Sequence, residues 1–264
     1  MNLALVDTQG TQAIGDAASA PGLTGRRQRT VLNMPSSGTW IARVSNVVSP
    51  AGAPLTNSGT QMAGYAQNYV GTVQVTNARY PSLTDLNGLD SSTTNDIWQN
   101  FRSLVMSPIG SRFRGAFGVT RADLAKALVV GGRVPQYLPS QSSYSDVRDD
   151  ATMLFVESAQ SSPNGALFPT VAGGSFQPDS PVDRLTAVIA LVRAAGLRQQ
   201  AESGAYPLTV SDALSIPSAW RGYVAVAIQT GLIKTNGSAF NPQGSFTRLD
   251  LSRGMAKLAN LASQ

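Results

Sequence analysis

Phe240-Asn-Pro-Gln-Gly-Ser-Phe-Thr-Arg248 is the third statement of a phrase written twice before, as Phe113-Arg-Gly-Ala-Phe-Gly-Val-Thr-Arg121 and Phe176-Gln-Pro-Asp-Ser-Pro-Val-Asp-Arg184. Each runs from a Phe to an Arg eight residues later, and the arginines lie 63 and 64 residues apart. A gapless offset at so steady a period marks a tandem array. Each copy is then a supersecondary unit whose apolar face needs its neighbours. Function belongs to the array more than to any one site.

The phrase can be read outward in both directions. Thr120, Asp183 and Thr247 precede the arginines as helix caps, able to accept from the free N–H groups of the first turn. Asp123 and Asp250 occupy the third helical position of a capping box. Three residues after each Arg come Leu124, Ala187 and Leu251, and seven after it Leu128, Leu191 and Met255. That spacing is one helical face, so three helices can share a core. Upstream, Asp85, Asp146 and Asp212 precede their arginines by 36, 38 and 36 residues. They sit in Leu83-Thr-Asp-Leu86, Tyr144-Ser-Asp-Val147 and Val210-Ser-Asp-Ala213. A second amphipathic segment follows each Asp. Trp220, Tyr223, Val224, Ala227 and Ile228 form it in the third copy, with Gly231 as its stop. Trp98, Phe101 and Val105 form it in the first, ended by Pro108, while Met153, Leu154 and Phe155 stand in the second without a Trp. The unit is an Asp turn, a helix, a loop with Phe, and an Arg-led helix.

This unit resembles the S-layer homology (SLH) repeat, whose signature joins a Gly-x-Phe-x-Pro loop to Thr-Arg-Ala-Glu and a helix. Val119-Thr-Arg-Ala-Asp-Leu124 and Phe246-Thr-Arg-Leu-Asp-Leu251 fit it with Asp for Glu. Pro181-Val-Asp-Arg-Leu-Thr186 departs from it, with Asp183 for the Thr and Thr186 for the acid. The resemblance spans about Leu83 to Leu261, in repeats at about 83–132, 143–197 and 208–263. It implies a mainly α, pseudo-threefold bundle that attaches exported proteins to cell-wall or peptidoglycan-linked polysaccharide at the extracellular cell surface. The implied ligands are acidic saccharides, often pyruvylated.

Residues 1–78 have another texture. Asn2-Leu-Ala-Leu-Val6, Thr30-Val-Leu-Asn-Met34, Gly38-Thr-Trp-Ile-Ala-Arg-Val44 and Tyr69-Val-Gly-Thr-Val-Gln-Val75 alternate between turn-rich stretches, which predicts antiparallel strands. The Asp7-Thr-Gln-Gly10 turn and the Pro35–Val44 phrase resemble part of the β-sandwich found after the catalytic domain of secreted subtilisin-like proteases. The expected fold class is therefore α+β and multidomain. It has a truncated β-sandwich at 1–78, a helical part at 79–264, and a catalytic domain expected upstream of Met1.

Composition narrows the function. The 264 residues carry no His and no Cys. That excludes a Ser–His–Asp triad, a Cys–His pair, disulfides, and His- or thiolate-ligated metal within this chain. Neither cofactor nor metal is expected, and no catalytic residue. Asp149-Asp150 reads as turn and cap more simply than as paired catalytic acids. No apolar run reaches 18 residues, so no membrane-spanning helix is expected, and no signal peptide is visible at the N-terminus.

The net charge is +5, and 17 of the 20 basic residues are Arg. Nucleic acid is the obvious rival ligand. However, the densest run is Arg26-Arg27-Gln-Arg29, which reads as a solvated loop, so nucleic acid is not expected.

The arginines at the helix starts invite two readings. An Arg in the first turn opposes the helix macrodipole by roughly 0.3–1 kcal/mol, so placing it there three times implies a gain elsewhere. In one reading each Arg braces the bundle through an Asp of its own or a neighbouring repeat. In the other, Arg and helix N-terminus make an anion site between repeats. The candidate saccharide-binding residues are Arg121, Arg184 and Arg248, with Asp85, Asp146, Asp212, Trp98 and Trp220 around them. Asp183 makes Arg184 the weaker candidate. The two Trp residues also read as core. The function expected is non-catalytic anchoring to acidic wall polysaccharide, the alternative being protein–protein assembly in a surface layer.

Overall fold

The computed structural model describes residues 2–7, 12–14 and 40–45, and residues 82–261 apart from 104, 132, 138, 140, 170–172 and 205–206. Three strands stand near the N-terminus: β1 (Asn2–Asp7), β2 (Gln12–Ile14) and β3 (Trp40–Ser45). β1 is central and pairs antiparallel with both neighbours, Ala4 opposite Ile14 and Leu3 opposite Val44.

This corrects the expected fold class. The described residues are mostly helical, and their strands form one three-stranded sheet, with no second sheet to make a sandwich. Alternation reports a half-buried strand locally and carries no information about a facing layer. The expected strands at 30–34 and 69–75, and the boundary near residue 79, lie outside the described residues.

From residue 82 the chain is built of helices: α1 (Ser91–Arg102), α2 (Arg121–Val130), α3 (Asp150–Gln160), α4 (Arg184–Ala194), α5 (Arg198–Ser203), α6 (Arg221–Thr230) and α7 (Arg248–Leu261). Local chemistry fixes their ends. Thr120 accepts from Asp123 N–H while the Asp123 carboxylate accepts from Thr120 N–H, a reciprocal capping box that recurs between Thr247 and Asp250. Asp183 caps α4 through the N–H of Thr186, and Asp149 caps α3 through that of Thr152. Gly231 ends α6 at φ 76°, a conformation that costs glycine little.

The Arg-led helix of each unit packs on the first helix of the next. α2 lies against α3, α4 against α6, and α7 returns to α1. Leu124, Leu128, Ala187, Leu191, Leu251 and Met255 are all buried in one continuous core. At its centre the backbone closes a three-membered cycle. Val119 N–H donates to Phe246 O at 2.9 Å, Phe246 N–H to Val182 O at 3.0 Å, and Val182 N–H to Val119 O at 2.9 Å. The segments before α2, α4 and α7 thus surround a pseudo-threefold axis. The short α5 is an addition that the first and third units lack.

Candidate functional site

Where one unit meets the next, an Arg-led helix lies against the following unit's Phe loop, and the seam between them is the candidate groove. The loop is held first. Asp85 accepts from Phe113 N–H and Arg114 N–H, both at 2.7 Å. Asp146 accepts from Phe176 and Gln177 at 2.8 and 2.6 Å. Asp212 accepts from Phe240 and Asn241 at 2.8 and 2.7 Å. Each pair of bonds pins a residue in the left-handed region, with Arg114 at φ 57°, Gln177 at 57° and Asn241 at 58°. Non-glycine residues rarely adopt that conformation, so the carboxylate fork holds a strained turn in place.

These bonds leave their mark on the carboxylates. At Asp212 the Phe240 N–H holds the pKa below the ordinary range, outweighing burial, with Asn241 adding to it. At Asp85 and Asp146 burial pushes upward most strongly. The combined N–H donors, joined by the Ser175 hydroxyl at Asp146, still carry the net shift downward.

The arginine spans the groove. Arg121 Nε–H donates to Phe176 O at 2.7 Å, Arg184 to Phe240 O at 2.8 Å, and Arg248 to Phe113 O at 2.8 Å. Each guanidinium lies over the ring of the same Phe, at 4.8, 5.3 and 5.4 Å from the centroid. Carbonyl and ring face supply the gain that offsets the unfavourable helix dipole. The partner is the next unit's Phe loop, whereas the bracing reading expected an Asp. Of the three, Arg184 alone pairs with a carboxylate among the described residues, with Nη1 at 3.2 Å from Asp250 Oδ2. Burial lowers the pKa of Arg121 and Arg248 against the pull of nearby acids, chiefly Asp183 and Asp123 respectively. A guanidinium stays charged through such shifts.

The backbone of the helix starts is already engaged. Arg121 and Ala122 donate to Ser180 O and Pro178 O, Arg184 and Leu185 to Gly244 O and Pro242 O, and Arg248 and Leu249 to Phe117 O and Gly115 O. The cap holds the third amide of each helix. The first three amides of each helix are therefore occupied and are not free to bind an anion.

Trp98 is half-buried and packs edge-on against Phe101, and Trp220 against Tyr223 under the Arg193 guanidinium. Three features were not read from the sequence: the Phe carbonyls as acceptors, Asp250 as the partner of Arg184, and Phe117. Phe117 is 51% exposed, with Arg114 over its ring and its carbonyl on the start of α7. Asp250 had been given only a cap's role, and sequence spacing cannot show a contact between repeats.

Residues 211–251 match the family model of the S-layer homology domain. Over that stretch the chain is similar to the S-layer homology domain. The matched stretch takes in the Asp212 clamp, α6, the Phe240 loop and the start of α7, which is most of the third unit. S-layer homology domains are non-catalytic modules that associate proteins with the cell surface by binding cell-wall polymers. No curated protein matches the chain. Among the described residues no helix is long and apolar enough to cross a membrane, and no group of acidic residues is arranged to hold a metal.

Proposed function

We propose that residues 82–261 act as one wall-anchoring module of three S-layer homology units, holding an acidic cell-wall polysaccharide in the grooves between them. The observation that carries this reading is the repetition of one clamp in all three units. The same Asp fork, left-handed residue and Arg-to-Phe-carbonyl bond that lie in or beside the matched segment occur at Asp85–Phe113–Arg248 and Asp146–Phe176–Arg121. Arg121 and Arg248 are the proposed saccharide contacts, because a guanidinium fork suits the carboxylate of an acidic sugar. Asp85, Asp146 and Asp212 act one step back, by fixing the loops on which the arginines rest. The exposed Phe117 ring beside the start of α7 offers a flat apolar surface to a sugar face.

The test is co-sedimentation of the full chain with cell-wall sacculi of the source organism, intact and stripped of their polysaccharide. Binding to intact sacculi that disappears on stripping is the expected result. Equal binding to both, or none to either, overturns the reading.

A further inference from the structure

The three grooves share a backbone and differ at one side chain. The position two residues after each Arg lies on the facing helix of the groove made by the previous unit's Arg. It is Asp250 opposite Arg184 and Asp123 near Arg248, and the corresponding position for the Arg121 groove is Thr186. In the Arg184 groove all three guanidinium nitrogens have acceptors. Nε bonds Phe240 O, Nη2 bonds Lys234 O at 2.6 Å, and Nη1 pairs with Asp250. Arg184 is 1% exposed. In the Arg248 groove Nε and Nη2 reach Phe113 O and Ser107 O, and no ion pair joins Arg248 to Asp123 among the described residues.

In the Arg121 groove no ion pair reaches the guanidinium among the described residues. Thr186 supplies no carboxylate, and its hydroxyl donates to Asp183 at 2.9 Å. Asp183, the acid that acts most strongly on Arg121, also caps α4 through Thr186 N–H. Nη2 of Arg121 is buried and donates to no protein acceptor among the described residues.

Resting on the anchoring reading, we propose that this one position decides which groove takes the polymer's anionic group. Asp250 is a built-in counter-anion that closes the Arg184 groove, and Thr186 leaves the Arg121 groove as the principal anion site. An external carboxylate at Arg184 would have to displace one that is tethered in place and already desolvated. At Arg121 it meets a guanidinium with no ion-paired carboxylate, against the more distant pull of Asp183 and Asp146. The order of anion affinity is Arg121, then Arg248, then Arg184.

The experiment compares the full-length wild type with Thr186→Asp, Thr186→Asn and Asp250→Asn, by co-sedimentation with intact and stripped sacculi alongside thermal melts. Thr186→Asp places a carboxylate opposite Arg121, in a first turn that favours acids. It should weaken binding to intact sacculi roughly tenfold or more when compared below its transition, which the lost hydroxyl bond to Asp183 and the new like charge beside it should lower. Thr186→Asn, of similar shape and no charge, should bind as the wild type does. Asp250→Asn should lower the melting temperature and, compared below its transition, bind sacculi more tightly as a further groove opens. Wild-type binding by Thr186→Asp, or binding by Asp250→Asn no tighter than the wild type's, overturns the assignment of grooves. The wild type's loss of binding on stripping would leave the anchoring reading intact. A wild type that binds stripped and intact sacculi alike overturns both.

Discussion

Arg248 Nε–H donates to the carbonyl oxygen of Phe113 at 2.8 Å, tying the last helix to a loop 135 positions earlier. This bond belongs to the seam that returns the third unit to the first, and Arg248 strengthens it with Nη2–H to Ser107 O at 2.7 Å. A linear solenoid would leave its end units with one neighbour each, but a closed cycle gives every unit two. Arg248→Lys keeps the charge and loses the fork, so it should lower stability by about 1–3 kcal/mol. The loss should be global, because the seam is shared. Far-UV circular dichroism and Trp fluorescence should shift together in urea as one cooperative transition. Separate transitions would show that the units melt independently.

The loop carboxylates make stability depend on acid. Asp85, Asp146 and Asp212 all have pKa values below the ordinary range in the folded state. Their contribution is present above the unfolded value of about 3.9 and is lost as pH falls through it toward the folded value. The melting temperature should therefore hold from about pH 7 to 5 and fall steeply between about pH 4 and 2. Asp212→Asn should be destabilised at neutral pH by about 1–2 kcal/mol, allowing for solvent screening, and much less at about pH 2.5. An equal deficit at both pH values would mean that the charge on Asp212 is not what holds the loop.

Much of the helical part was legible because it is written in local chemistry. The caps at Thr120, Asp183 and Thr247 and the apolar face through Leu128, Leu191 and Met255 follow from residues a few positions apart. The site was only partly legible, because its bonds join residues 55 to 135 positions apart and end on backbone carbonyls, which no side-chain motif announces. The sequence placed the arginines and aspartates in one unit. The structure pairs each Arg with the next unit's loop, and each Asp with the loop of its own. The N-terminal sandwich went wrong for a related reason: strand phrases at Asn2–Asp7 and Trp40–Ser45 specify pairing without specifying what covers the sheet.

The left-handed residues offer a graded test. Gln177 and Asn241 share nearly the same backbone conformation, at φ 57° and 58°. Asn visits that region more readily than Gln, because its short side chain hydrogen-bonds locally. Gln177→Gly should therefore stabilise the protein by about 0.5–1 kcal/mol, and Asn241→Gly by less or not at all. Both variants keep the N–H that the Asp fork holds, so denaturant midpoints compare strain alone. A larger gain at Asn241 would contradict the account.

Gly222 tests the packing around α5. A Cβ built there would run into the carbonyl oxygen of Ala201, so the start of α6 touches α5 by backbone. The contact cannot yield by a side-chain rotation. The same junction is tied by Tyr223 Oη–H to Glu202 at 2.7 Å, and Arg198 holds that carboxylate from within α5 at 3.0 Å. Pushing the helices apart would loosen the Tyr223 bond. Gly222→Ala should cost about 3 kcal/mol, at the upper end for overpacking, although Ala is the better helix former by about 1 kcal/mol. Gly237→Ala is the control. It has φ 62° and open space around its Cβ, so it should cost only about 1 kcal/mol, from backbone strain alone. If the two variants melt alike, the close approach of α5 and α6 is not a constraint, and α5 is free to move aside.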